Sequence, residues 1–479
     1  MAINMTVEQV LDIEDVLVSD DNPARNDGTF DYERCARLHN YLVAYAWMAR
    51  HGRETPDLVA LAEEKTNRDA NRELLDPSLN CFLDMIYDPQ PGLFYWIVGL
   101  AMEPCDETFC LEDNDLEDEG KARFIIIYDT TPDLGSHCLG VVYDQQLHRA
   151  SFPLTIGASE SVEPVDERGE FWFPLETILT HWIFLIRLGK VVAGLPECDS
   201  KHRSQLGLWS WLPYCDAQVD NTVSTINRYL VAVESRMPAD SVLPINRTRT
   251  LFTDTELDAA SVPQDCFIRS VLTRINSPRF KFIAPGLEVP HDKEAFARRQ
   301  NFTRFSYEEG TIPAVLIFAA SGRTGLGRTI NFNLELRGLF FRYIPDEDLP
   351  ISIGAPVFTG LYSEPTSRIY PDTEEAGFRL LLPYMLRPNI GDVDGARMSD
   401  GQLVRTGSFA ELFQHGWFHP FGGDQRSQRM ERLFERWTEL IERGVWTVGE
   451  EGVEGGIEKF RDADNGNGAW EDYWIPPDW

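Results

Sequence analysis

Lysine is scarce in this chain. Seven lysines stand among 479 residues, so arginine supplies nearly all of the 44 basic side chains, against 77 acidic ones. The formal net charge is −33 and the pI lies near 4.6. Such a balance repels phosphate. Neither a broad nucleic-acid-binding face nor attraction to an anionic membrane is expected, since both replace counterions with Lys and Arg. A local basic cleft remains compatible with it.

Cysteine is also sparse, and it is scattered: Cys35, Cys81, Cys105, Cys110, Cys138, Cys198, Cys215 and Cys266, with none in the last two hundred residues. This spacing is not a disulfide framework, and reduced, mostly buried thiols are the simpler expectation. The stretch from Met1 to Asp15 has neither a basic nor an apolar segment of the kind a secretory signal needs. The most apolar helical run, Leu175 to Leu188, carries Glu176, His181 and Arg187 and falls short of the roughly 20 residues a bilayer demands. A cytoplasmic protein is expected, and nothing in the sequence excludes a nuclear one.

What is present is enough to fold. With 43% hydrophobic, 25% charged and 11% aromatic residues, the chain can bury apolar surface against the entropy of ordering it, which excludes wholesale disorder. At roughly 150 residues per domain the length suggests two or three domains, with one enlarged domain also compatible.

The first hundred residues read as helical. Cys35, Leu38, Leu42 and Tyr45 recur at helical spacing until His51-Gly52, and Thr55-Pro56 opens a second helix over Asp57 to Leu75. A carboxylate-rich loop over Cys105 to Glu119 separates this region from strand-like runs at Phe124 to Tyr128, Leu139 to Tyr143 and Leu147 to Leu154. Helices return at Pro174 to Lys190 and Val219 to Arg236. Strands are expected again at Phe280 to Ile283, Ala314 to Ala319 and Ile330 to Tyr343, with strict polar–apolar alternation along Asn331 to Arg337.

Near the end, Met430, Leu433, Phe434, Trp437, Leu440 and Ile441 form the seam of an amphipathic helix that Gly444 stops. The tail beyond is acidic yet carries Trp446, Trp470, Tyr473, Trp474 and Trp479, an aromatic content at odds with disorder, so it is expected to dock on the body.

Helical and strand-like blocks come in runs, which predicts an α+β fold with helical N- and C-terminal regions around mixed, largely antiparallel strands. The expected division is residues 1–240, residues 260–443 and the docked tail 444–479, with the polar, aperiodic stretch Pro238 to Pro263 between the first two.

Several constellations invite a chemical reading. Gly322-Arg-Thr-Gly-Leu-Gly327-Arg328-Thr329 matches the phosphate-binding G-x-x-x-x-G-K-[ST] loop except that arginine replaces lysine. The loop works through backbone N–H groups at the start of a following helix, whereas an alternating strand follows here, so a hairpin loop is expected instead. Glu411, His415 and His419 share the four-residue spacing of metal ligands on a helix face, but Ser408 to Glu411 reads as a capping box and Gly416 would end the helix before His419.

Cys198, His202 and Cys215 lack the paired knuckles that make zinc motifs specific. Asp462-Ala-Asp464-Asn-Gly466 starts like a calcium loop, yet its glycine comes one position early. His137-Cys138 puts a base beside a thiol, but strand neighbours face opposite ways. No nucleophile elbow or zinc-protease motif is present. The expectation is therefore that none of these forms a cofactor or metal centre.

Two functions remain. The first is an intracellular enzyme or small-molecule-binding protein, recognisable by an apolar pocket with convergent polar groups. The second is a non-catalytic interaction or regulatory protein with a protein partner, using its acidic surface and aromatic tail.

Overall fold

In a computed structural model of the chain, the described residues are 7–51, 56, 71–89, 92–105, 122–131, 139–152, 169–197, 202–305, 307–325, 356–386, 394–416 and 427–478. A short helix, α1 (Val7–Leu11), precedes α2 (Tyr32–Arg50), which starts where the Asp31 side chain accepts the Arg34 N–H. Arg34 is itself buried and ties the intervening loop down, donating to the carbonyls of Val16 at 2.7 Å and Leu17 at 2.9 Å. Pro77 sits at the start of α3 (Pro77–Met85) behind an Asp76 cap, the place where its missing N–H costs nothing.

Four strands follow as an antiparallel meander: β1 (Ile97–Pro104), β2 (Phe124–Thr130), β3 (Val141–Asp144) and β4 (Arg149–Ser151). The first of them corrects the helical reading of the first hundred residues. A short apolar run has no decisive period of its own, and here pairing with β2 wins. Of the helix expected over Asp57 to Leu75, residues 57–70 lie outside the described residues and the end forms only a single 3-10 turn, Arg72–Leu74; most of the acidic loop and His137-Cys138 also lie outside them.

The helix α4 (Leu175–Leu188) ends at Gly189, whose φ of 81° closes the C-terminus as glycine does best. A small antiparallel sheet, β5 (Val191–Ala193), β6 (Ser204–Leu206) and β7 (Trp209–Trp211), comes next, ordered β5-β7-β6. Trp96, Trp182, Trp209 and Trp211 meet in the core these elements enclose, with Phe94 stacked on Trp182 at 5.1 Å.

A second, larger core begins with α5 (Asp216–Glu234). The helices α6 (Asp254–Ala259) and α7 (Phe267–Leu272) follow, then the strands β8 (Phe282–Ala284) and β9 (Leu287–Glu288) and the helix α8 (Lys293–Arg299). Next come β10 (Thr311–Ile312), β11 (Leu316–Gly325), β12 (Pro356–Ser363), β13 (Thr366–Ser367) and β14 (Phe378–Leu381), and then the long amphipathic helix α9 (Met430–Glu442). The strands β15 (Val448–Gly449) and β16 (Gly452–Val453) complete a seven-stranded sheet ordered β14-β12-β11-β9-β8-β16-β15. Its pairs are antiparallel except β16 on β8, so the fold is α+β with mixed, mainly antiparallel strands. The polar stretch 238–263 contributes Leu251, Phe252, Leu257 and Val262 to this core. The strand expected over 330–343 lies outside the described residues.

The two cores meet across the loop 370–376. Trp96 Nε1 donates to the Asp372 carboxylate at 3.0 Å, and Trp211 Nε1 donates to the Thr373 carbonyl at 2.7 Å. Fully buried Lys190 pairs with Glu374 at 3.0 Å. Asp372 adopts φ 45°, a left-handed conformation costly for a non-glycine residue, and its N–H donates to the Tyr95 hydroxyl.

The acidic tail packs against this body. Trp446, Phe460, Tyr473 and Ile475 are buried in the larger core, and Trp474 Nε1 donates to the Met398 carbonyl at 2.9 Å. Near the terminus Asp478 accepts from Arg429 at 2.7 Å, with Arg432 3.6 Å away and His181 of α4 3.8 Å away. Trp479 lies outside the described residues. Among those that are described, no helix is long and apolar enough to cross a membrane.

His181 makes this corner sensitive to acid. Burial pulls its pKa down to about 4; the Asp478 carboxylate opposes this, while Arg429 and Arg432 reinforce it. The unfolded chain takes up the proton near pH 6.5, so the stability His181 contributes is present above that pH and is lost as pH falls towards 4. We expect His181→Gln to remove about 2 kcal/mol of the stability difference between about pH 7 and pH 5, read from urea unfolding. An unchanged difference would show that folding does not shift the titration of His181.

Candidate functional site

The residues between β8 and β11 build a cleft. After β8 the chain reverses at Pro285-Gly286. Gly286 has φ 68°, and a Cβ there would lie 2.3 Å from the backbone nitrogen of Ile457, so glycine is needed both for the turn and for the approach of the tail. The strand β9 then runs beside β11, Ala319 facing Glu288. Asp292 caps α8 by accepting the Ala295 N–H at 2.9 Å. Behind the helix, the Gln300 amide takes the Leu316 N–H at 2.9 Å and donates to the Leu316 carbonyl at 3.0 Å, binding the end of α8 to the start of β11.

The space so enclosed is half open, with a volume of about 280 Å³. Val289, Phe296, Leu316, Ile317 and Ala319 give it an apolar floor, while Lys281, Glu288, His291, Asp292 and Arg299 supply polar groups. Apolar walls with a few convergent polar groups are what small-molecule sites generally show. Lys281 pairs with Glu451 at 3.1 Å and Arg299 with Glu288 at 3.4 Å.

His291 is the chemically distinctive group. Its Nε2 lies 2.8 Å from the Phe280 carbonyl, an acceptor only, so Nε2 carries the hydrogen and Nδ1 the lone pair. Burial lowers its pKa, the hydrogen bond to Phe280 opposes this, and the charges of Lys293 and Arg249 push it down further. The ring is thus neutral at neutral pH. Lys293 is affected in the same way. Burial brings its ammonium down to about 8, with its Nζ 2.8 Å from the Pro290 carbonyl and 3.8 Å from the centre of the Phe252 ring.

The residues singled out in the sequence lie elsewhere. Gly322 is part of β11 at a register shift between Ala319 and Arg323, and the strand continues to Gly325 where a phosphate loop would turn into a helix. Gly327, Arg328 and Thr329 lie outside the described residues. Residues 408–416 are turns rather than the helix expected there. Half of the capping box forms all the same, the Ser408 hydroxyl accepting the Glu411 N–H at 3.1 Å, while the Glu411 carboxylate is held by Arg405. His415 is buried, and His419 lies outside the described residues.

Cys215 caps α5, its N–H donating to Gln218 at 3.1 Å, and burial raises its thiol pKa. His202 is exposed, and Cys198 lies outside the described residues. Among the described residues no three His, Cys, Asp or Glu side chains converge as a metal centre would.

The cleft residues carry no motif, because a two-residue strand and a seven-residue helix are too short to show a period. The signal that was available is compositional. Two of the seven lysines, Lys281 and Lys293, and the pair Arg298-Arg299 fall within one short stretch of an acidic chain. Comparison with family models, with curated proteins and with solved structures finds no match to this chain.

Proposed function

We propose that the protein binds a small organic molecule in the cleft between β9, α8 and β11. The observation that carries this reading is an apolar-floored space of about 280 Å³ lined by a neutral histidine whose lone pair is fixed on Nδ1. That volume, about 280 Å³, falls just below the range for drug-sized ligand pockets, roughly 300–1,000 Å³, and so fits a small metabolite rather than a dinucleotide. Lining by His291 and Arg299 offers one acceptor and one cationic donor, so the same site could support proton transfer on a bound substrate.

The alternative, a tail-mediated partner protein, is less well supported, since Trp446, Tyr473 and Ile475 are spent on the chain's own core. An intracellular setting accords with the scattered cysteines: among the described residues Cys35, Cys105, Cys215 and Cys266 are buried thiols and Cys81 is an exposed one.

The test is a metabolite-library screen by native mass spectrometry and thermal shift on the full chain, beside the variant Ala295→Trp. Ala295 lines the cleft, and an indole there fills it. We expect compounds that bind the parent protein and raise its melting temperature to lose both effects in the variant, with the unliganded melting temperature little changed. Binding that survives Ala295→Trp would place the ligand elsewhere.

A further inference from the structure

The cleft's polar groups narrow the chemistry of what it holds, on the reading that it is a ligand site. Among the described residues, Glu288 is the one hydrogen-bond partner of the Arg299 guanidinium, through a single Nη1 contact of 3.4 Å. A guanidinium has five N–H donors in a planar fork, and a single long contact leaves most of that fork for another acceptor. Arg299 is half-exposed at the cleft wall, so its remaining donors face solvent or ligand rather than the core.

His291 offers the opposite property. With Nε2–H committed to Phe280, its Nδ1 accepts, and no described residue donates to it. The carboxylates of the rim are already engaged: Glu288 with Arg299, and Asp292 with the N–H of Ala295 at the start of α8. The charges that bear on the protonation of His291 are the cations Lys293 and Arg249, in a chain that as a whole carries −33.

From these groups we infer that the ligand is a small carboxylic acid with an apolar body and a neighbouring hydroxyl or amine. Its carboxylate meets the Arg299 fork, its donor meets His291 Nδ1, and its body lies on Phe296, Leu316 and Ile317. Bidentate guanidinium–carboxylate recognition combines charge with geometry, which a neutral isostere cannot reproduce.

The test uses a matched pair, phenyllactate and phenyllactamide, which share ring and hydroxyl and differ in the charged group. Both are titrated calorimetrically into the full chain and into Arg299→Gln and Ala295→Trp. The acid is expected to bind roughly tenfold or more tightly than the amide, as a charge-assisted contact implies. Arg299→Gln should erase that preference while leaving amide binding in place. Ala295→Trp should abolish both. Equal affinities, both blocked by Ala295→Trp, would overturn the carboxylate assignment and leave the cleft as a ligand site. An acid preference that persists in Arg299→Gln would also overturn it, and so would no binding of either compound at millimolar concentration.

Discussion

Lys190→Ala is expected to cost about 3–5 kcal/mol of folding free energy, because it leaves a buried carboxylate without its cation. Lys190 is fully buried, with its Nζ 3.0 Å from Glu374, 2.8 Å from the Pro213 carbonyl and 5.2 Å from the centre of the Trp211 ring. Glu374 is buried as well and also accepts from Gln218 and from the Ala376 N–H. Attraction in this dry seam offsets the cost of taking both charges out of water only while both are present.

The double variant Lys190→Met with Glu374→Gln removes both charges and keeps an acceptor for Gln218 and Ala376. It is expected to recover more than half of the loss. Urea unfolding of the two variants and the parent measures this. A single-variant cost below about 1 kcal/mol would show that water reaches the seam, as at exposed pairs.

Ending the chain at Gly468 is expected to cost about 5 kcal/mol or more, since several buried groups are lost together. Tyr473 and Ile475 are each nearly inaccessible to solvent, and Tyr473 packs on Phe413 at 5.9 Å and on Phe460 at 6.3 Å. Truncation also takes Asp478 from Arg429, a guanidinium buried between α9 and the tail. Burial alone would raise the Asp478 pKa, but Arg429, Arg432 and His181 outweigh it and hold the carboxyl far below the usual carboxylate range. Scanning calorimetry checks the outcome. An unchanged melting temperature would mean that the last eleven residues stabilise nothing within their own chain.

Long, periodic elements were legible in advance, and short ones were not. The seam Met430, Leu433, Phe434, Trp437, Leu440 and Ile441 became the buried face of α9, because six apolar side chains at that spacing leave one way to hide them. Phe124 to Tyr128 became the first five residues of β2 for the same kind of reason, a compact β-branched and aromatic run. Ile97 to Pro104 misled, since Ile97, Val98, Leu100 and Met102 fit either period until β2 supplies its pairing partner. Residues 408–416 misled differently. The hydrogen bond from Glu411 N–H to Ser408 is local and formed as expected, but turns around Gly407 and Phe413, both at positive φ, took the place of a helix.

The same contrast holds for the sites. The candidate motifs rested on spacing along the chain, and spacing specifies geometry only within a regular element. Gly322 fell in a strand and Glu411 in a turn, so neither pattern meets the geometry it would need. His291, Glu288 and Arg299 lie on a loop, a two-residue strand and a seven-residue helix, and β11 brings the apolar floor to them from elsewhere in the chain.

Composition and periodicity settled what depends on local chemistry: an acidic chain with enough apolar surface for a core, an α+β pattern of runs, and an amphipathic helix near the end. Tertiary packing decided what depends on contacts between distant residues. Lys190 meets Glu374, His181 meets Asp478, and the Gln300 amide closes the cleft onto Leu316, because burial makes each polar group find a partner wherever the chain happens to bring one.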